Sequence, residues 1–268
     1  MGVIPCHKSG FFCNDPSLNY EFKGDTVSAL LLMAVIISVP PKVILITEYF
    51  LYKQPDYVLK ESFKKKCFKL FKIKWWLTKD YMFGMFFNLA VVEVMKGLTG
   101  MPRPTFFDLC KPDAAANCTE STFVSEFACT SSYHWWYQLD SYRSFPSGHA
   151  SLSIHAGFYT IWYLQRRAFS WNARPMLLVP LLQLACVVFA AVASLTRITD
   201  HRHHWWDVLV GAIIGFSTVW YTCMILCDNF RSLERYCDLT NDDKERSIQK
   251  RPVRVEDTRL VITPEINA

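Results

Sequence analysis

The sequence predicts an all-α fold, a polytopic helical bundle in a membrane with five visible spans. Two observations lead to this prediction. The chain of 268 residues is 51% hydrophobic and 15% aromatic, and its apolar residues are concentrated in runs close to the length of about 20 helical residues that crosses a bilayer. The predicted spans are 26–50, 81–101, 149–165, 176–196 and 206–227.

The first and third predicted spans differ from the others. The first contains Pro40-Pro41, which predicts a kink. The third is short and relatively polar. Residues 1–25 lack a basic start followed by an apolar core, so no cleavable signal peptide is predicted and the first span is expected to direct insertion.

The loop between the first two spans, residues 52–79, is rich in lysine. A lysine excess in a short loop marks the cytoplasmic side, and the aromatic residues between the lysines suggest contact with anionic headgroups. Because the loop is tethered between two spans, nucleic acid is not expected as a partner. The nine lysines are Lys53, Lys60, Lys64, Lys65, Lys66, Lys69, Lys72, Lys74 and Lys79.

The loop 102–148 is then predicted to lie on the opposite, extracellular or lumenal side. Acidic residues predominate in its central part, and Asn117-Cys118-Thr119 is a glycosylation sequon that is used only on that side. The cysteines of this loop can pair with one another or with Cys6 and Cys13 in an oxidising compartment, and the connectivity is open. They are Cys110, Cys118 and Cys129.

Because each span crosses the membrane, the count of spans also predicts on which side each end of the chain lies. Residues 1–25 are predicted to be an N-terminal extracellular or lumenal segment. Residues 231–268 are highly charged with few aromatic residues, so they are predicted to be a disordered cytoplasmic tail.

Three polar clusters occur at span ends that this topology places on one side of the membrane. Ionisable residues at a span boundary are costly to bury and are therefore candidates for function. The clusters are Lys96 with Arg103; Ser147, Gly148 and His149; and Arg197, His203 and Asp207.

The chemistry of these clusters suits a phosphate group. The three cationic side chains can neutralise a phosphate dianion, and the amides at the start of the third span can donate to its oxygens. If a helix begins near His203, Asp207 lies one turn later and can orient the imidazole. His203 is then the predicted nucleophile toward phosphorus, and His149 the general acid for the leaving oxygen.

Other interpretations of the same residues stay open at this point. The histidines around 203 and Asp207 could bind a metal, although none is predicted, or could form only a polar turn. Lys96 and Arg103 could be interfacial anchors, and Ser147 a helix cap. The remaining basic residues of this stretch, His201, Arg202 and His204, are expected to be surface or headgroup contacts.

The spaced motifs resemble those of the type 2 phosphatidic acid phosphatase superfamily, and within it the animal lipid phosphate phosphatases, including the Wunen type. The resemblance covers roughly residues 10–230. Its three motifs are Lys96-X6-Arg103-Pro104, Pro146-Ser147-Gly148-His149 and Arg197-X5-His203-X3-Asp207. Further similar segments are Gly10–Asp15, Asp108–Asp113, Asn117-Cys118-Thr119 and His203–Asp207.

The resemblance implies a membrane phosphatase domain over residues 26–230 that is independent of magnesium and of any cofactor. It implies hydrolysis of phosphatidic acid, lysophosphatidic acid and related sphingolipid phosphates through a phosphohistidine. His203 is then the nucleophile, His149 the acid and Asp207 the orienting partner. The residues implied to bind phosphate are Lys96, Arg103, Ser147, Gly148 and Arg197.

The resemblance also shapes the remaining expectations. Related proteins have six spans, and the Gly10–Asp15 segment normally follows the first, so this sequence is expected to start after that helix. The expected partners are lipid phosphate substrates and the membrane, with homo-oligomerisation left open, and the plasma membrane is the expected location. Two alternatives are a catalytically impaired relative that binds lipid phosphate and a phosphatase of a polar phosphate ester.

Overall fold

The computed structural model describes residues 7–51, 63–118, 122–169 and 177–231. The described residues up to Phe230 belong to one compact unit. Cys6, the first part of the lysine-rich loop and nearly all of the predicted tail lie outside the described residues. The prediction of a disordered cytoplasmic tail therefore stays a prediction.

The prediction of an all-α membrane bundle is confirmed. The described part of the chain forms five long helices, several short helical segments and a two-stranded sheet of β1 (Phe11–Phe12) and β2 (Phe123–Val124). The helices are α1 (Ala29–Leu51), α2 (Phe63–Thr99), α3 (Phe106–Cys110), α4 (Trp135–Asp140), α5 (Gly148–Arg167), α6 (Leu178–Thr199) and α7 (Trp205–Tyr221).

The five long helices correspond to the five predicted spans. Among the described residues, four helices are long and apolar enough to cross a membrane: Ala29–Phe50, Lys74–Thr99, Leu178–Thr199 and Trp205–Leu226. The protein is therefore an integral membrane protein. The remaining long helix, α5, covers the predicted span 149–165, which is the most polar of the five.

Helix α2 corrects the predicted boundary of the second span. The sequence was expected to form a loop over 52–79 and a span from residue 81, but α2 begins at Phe63. Its 37 residues extend over about 55 Å at 1.5 Å per residue, compared with a hydrocarbon layer of about 30 Å. The lysine-containing first turns continue the helix beyond the apolar layer because neither proline nor glycine interrupts them.

Helix α5 is polar because protein surrounds it. It packs against α1, α2, α6 and α7, and its polar side chains find partners on these helices. The Ser151 hydroxyl donates to the Asn88 side chain of α2 at 2.6 Å, and a His155 ring nitrogen lies 3.0 Å from the Thr218 hydroxyl of α7. The large apolar side chains exposed on the other long helices face outward, where lipid solvates them.

Glycines allow α7 to approach α5 closely. A β-carbon on Gly211 would overlap the carbonyl oxygen of Ser147, and one on Gly215 would overlap that of Ser151. The start of α7 is therefore held directly against the start of α5, where two of the predicted motifs lie.

The N-terminal segment and the loop after α2 form a cap on this end of the bundle. Strand β1 pairs antiparallel with β2, and Phe11 is buried in a cluster with Leu18 and Phe106. Disulfides join Cys13 to Cys118 and Cys110 to Cys129. The structure thus selects one connectivity among those that the sequence left open.

Candidate active site

The three predicted polar clusters meet at one end of the bundle, around a cavity of about 380 Å³. The C-terminal ends of α2 and α6 and the N-terminal ends of α5 and α7 lie at this end, because consecutive long helices run in opposite directions. Six of the predicted site residues line the cavity: Lys96, Arg103, Gly148, His149, Arg197 and His203. Ser147 and Asp207 are fully buried next to it.

The start of α5 presents backbone amides to the cavity. Ser147 is the N-cap residue, and its hydroxyl accepts from the Ala150 amide at 3.5 Å. The first amides of a helix have no intrahelical acceptor, so those of Gly148 and His149 are suited to an anion. The Lys96 Nζ atom lies 3.5 Å from the position of a β-carbon on Gly148, so this glycine leaves room for an oxygen beside the ammonium group.

Arg103 is buried and all of its nitrogens are engaged. Its Nε and Nη2 donate to the backbone oxygen and the carboxylate of Asp140, at 2.7 and 2.6 Å. Its Nη1 donates to the Arg202 carbonyl at 3.0 Å and lies 3.3 Å from His203 Nε2. Arginine can only donate, so His203 Nε2 is the acceptor of this contact.

The Arg103 contact identifies the tautomer of a neutral His203 ring. The lone pair of that ring is on Nε2, and its proton is on Nδ1. The Nδ1 atom lies 3.6 Å from Asp207 Oδ2, slightly beyond hydrogen-bond length, and 3.5 Å from the Ser144 hydroxyl. A ring held in this way presents a nucleophilic nitrogen on one side and a carboxylate on the other.

Asp207 is oriented by groups around the start of α7. Helix α7 begins at Trp205, with His204 as its N-cap residue, two residues later than the expected start near His203. Asp207 Oδ2 accepts from the His204 amide at 3.0 Å and from the Ser144 hydroxyl. This carboxylate therefore caps the helix as well as facing His203.

Burial and neighbouring charges shift the pKa values of the groups around His203. Burial lowers the pKa of His203 well below 6.5, and the Arg103 guanidinium lowers it further, so the ring is neutral near pH 7. Burial also lowers the pKa of Arg103 to about 10. For Asp140 burial acts to raise the pKa, but Arg103 and Arg202 outweigh it and hold the pKa at about 2.

Arg197 projects from the last turn of α6 between two carboxylates. Its Nη1 donates to Asp25 at 3.0 Å and its Nη2 to Asp200 at 2.8 Å. The His149 Nε2 atom lies 3.2 Å from the Val27 carbonyl oxygen. The residues just before α1 therefore touch both a predicted phosphate-binding residue and the predicted acid.

Four residues that contact this site were not among the predicted site residues. They are Asp25, Asp140, Ser144 and Arg202. Arg202 was expected at the surface, but it is only 5% exposed because Asp140 and Asp25 lie against its guanidinium. Only the high density of charged residues near the motifs could have drawn attention to them.

Of the other histidines of the stretch, His204 also approaches Asp207, with its Nδ1 3.4 Å from Asp207 Oδ2. The His201 ring stacks on Tyr20 at 4.0 Å, and the His204 ring stacks on Trp206 at 4.5 Å. The described residues contain no group of three or more His, Cys, Asp and Glu residues arranged to hold a metal ion.

Asn117 ends a short 3-10 helix, but Thr119 lies outside the described residues, so glycosylation stays a prediction.

The fold and the cavity together define an integral membrane protein with a cavity lined by cationic side chains at one end of its bundle. Comparison with known sequences identifies the family: the chain belongs to the PAP2 superfamily, whose signature matches residues 77–231. It is accordingly a phosphatase-family protein, and the expected resemblance to animal lipid phosphate phosphatases is confirmed.

Individual relatives cover most of the chain. Phospholipid phosphatase 2 of Bos taurus is 30% identical over 243 residues, which cover 87% of this chain and 81% of the relative. Phospholipid phosphatase 1 of Mus musculus is 27% identical, with 90% and 83% covered. A Caenorhabditis elegans protein named phospholipid phosphatase homolog 1.2 homolog is 29% identical, with 85% and 68% covered. No solved structure gives a significant match.

Proposed function

We propose that the protein is a lipid phosphate phosphohydrolase that acts on phosphatidic acid, lysophosphatidic acid and related sphingolipid phosphates. The observation that carries this proposal is the composition of the cavity wall. Cations line one part of the cavity, and apolar side chains of α1 and α2 line another: Leu32, Met33, Leu89 and Val92. A substrate with a phosphate and a hydrocarbon chain matches both parts.

The cationic part supplies electrostatic stabilisation. Lys96, Arg103 and Arg197 neutralise a phosphate dianion and the additional charge on the equatorial oxygens in the transition state. The amides of Gly148 and His149 donate to the same oxygens. Because these charges come from side chains of the chain itself, we propose that hydrolysis is independent of magnesium.

In the proposed reaction His203 Nε2 attacks phosphorus, and the bond from phosphorus to the lipid oxygen breaks. His149 donates a proton to that oxygen, which leaves as the lipid alcohol. Water then attacks the phosphohistidine, transfers a proton to His149 and releases inorganic phosphate, so both histidines return to their starting state. Asp207 stabilises the positive charge that His203 acquires.

The cap supports a location of the site on the extracellular or lumenal side. Two disulfides lie in the cap, at the same end of the bundle as the cavity, and disulfides persist in oxidising compartments. The sequon at Asn117 is in the same loop. We propose the plasma membrane as the location, with residues 231–268 as a cytoplasmic tail, and surface labelling of intact cells tests it.

The direct test is release of inorganic phosphate by the full chain purified in detergent. We expect release from long-chain phosphatidic acid in the presence of EDTA, and much slower release from short water-soluble phosphate esters. Folded protein that releases phosphate from none of these lipids would contradict the proposal and favour a binding relative. Equal rates with glucose 6-phosphate would instead favour a polar substrate.

A further inference from the structure

Arg202 lines the cavity of the candidate active site but is not one of the predicted phosphate-binding residues. We propose that Arg202 is a further phosphate-binding residue and that the Asp25 carboxylate occupies the position of a phosphate oxygen until the substrate displaces it. The proposal deepens the proposed function and rests on it.

The guanidinium of Arg202 is buried and held in place. Its Nη2 donates to Asp140 Oδ2 at 2.6 Å, and its central carbon lies 4.7 Å from the centre of the Phe22 ring. Its Nε lies 3.1 Å from Asp25 Oδ1, without the alignment of a hydrogen bond. The side chain is therefore oriented before any ligand arrives.

Donors on Arg202 and Arg197 are left without acceptors. Arg202 Nε, Arg202 Nη1 and Arg197 Nε are buried atoms with no hydrogen-bond partner. Buried guanidinium donors without acceptors cost free energy, so donors of this kind beside a cavity are suited to bind an anion. Arg103 differs, because each of its nitrogens already donates to protein acceptors.

Asp25 bridges the two arginines that have these unpaired donors. One of its oxygens, Oδ1, lies 3.0 Å from Arg197 Nη1 and 3.1 Å from Arg202 Nε. A single carboxylate oxygen between two guanidinium groups is in the place that an oxygen of a phosphate would take. Asp25 supplies one negative charge, whereas a phosphate dianion supplies two and has more acceptor oxygens.

The position of Asp25 in the chain allows this displacement. It precedes α1, and its side chain is 25% exposed, whereas the side chains of Arg197 and Arg202 are 1% and 6% exposed. Arg197 lies in the last turn of α6, and Arg202 lies between α6 and α7. A substrate phosphate is therefore expected to push the Asp25 carboxylate toward solvent and keep both guanidinium groups in place.

The test is the affinity of the full chain in detergent for orthovanadate, a phosphate analogue, measured by competition with lipid phosphate hydrolysis and by calorimetry. Arg202→Gln should weaken binding about ten- to a hundredfold, the usual effect of losing a hydrogen bond to a charged group. Asp25→Asn should tighten binding about fivefold, because the competing charge is lost. Arg166→Gln and Glu21→Gln are charge-matched controls away from the cavity.

Each result decides the proposal. Unchanged affinity in Arg202→Gln would overturn it. Weaker or unchanged binding in Asp25→Asn would also overturn it, since Asp25 would then not compete with the phosphate analogue. If Arg202→Gln does not fold, the sign of the Asp25→Asn effect decides alone. Failure of the proposed function can be distinguished from failure of this inference. In the first case wild-type protein would hydrolyse no lipid phosphate, and the orthovanadate affinities measured by calorimetry would still show whether Arg202 binds the anion.

Discussion

The two ends of α5 bury charged residues in different ways. At the C-terminal end, Arg167 donates from Nε and Nη2 to both carboxylate oxygens of Glu48 at 3.0 Å, and the Tyr163 hydroxyl donates to the same carboxylate at 3.0 Å. At the N-terminal end, arginine nitrogens and Asp207 Oδ1 are buried without partners. Removing one partner of a fully paired buried charge destabilises the fold, whereas unpaired donors around a cavity are suited to a ligand.

This contrast predicts that substitutions at the N-terminal end of α5 change chemistry, and that substitutions at the C-terminal end change stability. The largest effect is expected for His203→Ala, which removes the proposed nucleophile. Phosphate release should fall by at least about 10³-fold, as for other nucleophile deletions. The measurement is the initial rate of release, with thermal unfolding as the control for folding, and a rate close to that of wild type would refute the assignment.

A smaller loss is expected for Asp207→Asn, which keeps the nucleophile but removes the charge that stabilises its positive form. The rate should fall by about 10²- to 10⁴-fold, as for other orienting carboxylates next to a catalytic histidine. Because Asp207 also accepts from the His204 amide, thermal unfolding must be measured alongside. A variant that lost stability but kept its rate per folded molecule would show that Asp207 only caps α7.

The opposite pattern is expected for Glu48→Gln. Leaving Arg167 without its buried counter-ion should cost about 3–5 kcal/mol in the free energy of unfolding, seen as a lower midpoint of thermal unfolding in detergent. The rate per folded molecule should stay that of wild type, since Glu48 lies at the other end of α5. A large fall in that rate would remove the distinction between the two ends.

The smallest effect concerns pH. Attack requires a neutral His203, and its pKa lies well below 6.5 because of burial and Arg103. A lowered pKa keeps the ring neutral as the pH falls through 6.5, so the acid limb of kcat/KM should have its midpoint below that pH. Arg103→Gln should raise the midpoint, because a positive charge beside the ring is removed. A wild-type midpoint at pH 7 or above would contradict the assigned environment.

Much of the fold could be predicted from local features of the sequence. The long apolar runs predicted α1, α6 and α7, since hydrophobicity over about 20 residues is sufficient evidence of a span. The start of α2 was predicted too late, because lysines end an apolar run without ending a helix. The predicted site residues lie together around one cavity because their positions at alternating span ends place them on the same side.

The residues that complete the site could not be predicted in the same way. Asp25 and Arg197 are separated by 172 positions, and Arg202 and Asp140 by 62. No periodicity connects such pairs. Arg202 resembles a surface residue in the sequence because its burial depends on contacts with Asp25, Asp140 and the Phe22 ring, which are distant in the chain.

The sequence by itself determined that this chain is a helical membrane protein of a phosphatase family, because span length and motif spacing are properties of neighbouring residues. The tertiary structure alone decided which cysteines pair, which carboxylate faces each arginine, and which donors are left for a ligand. These contacts join distant segments, and their formation depends on how the cap and the helix ends pack in three dimensions.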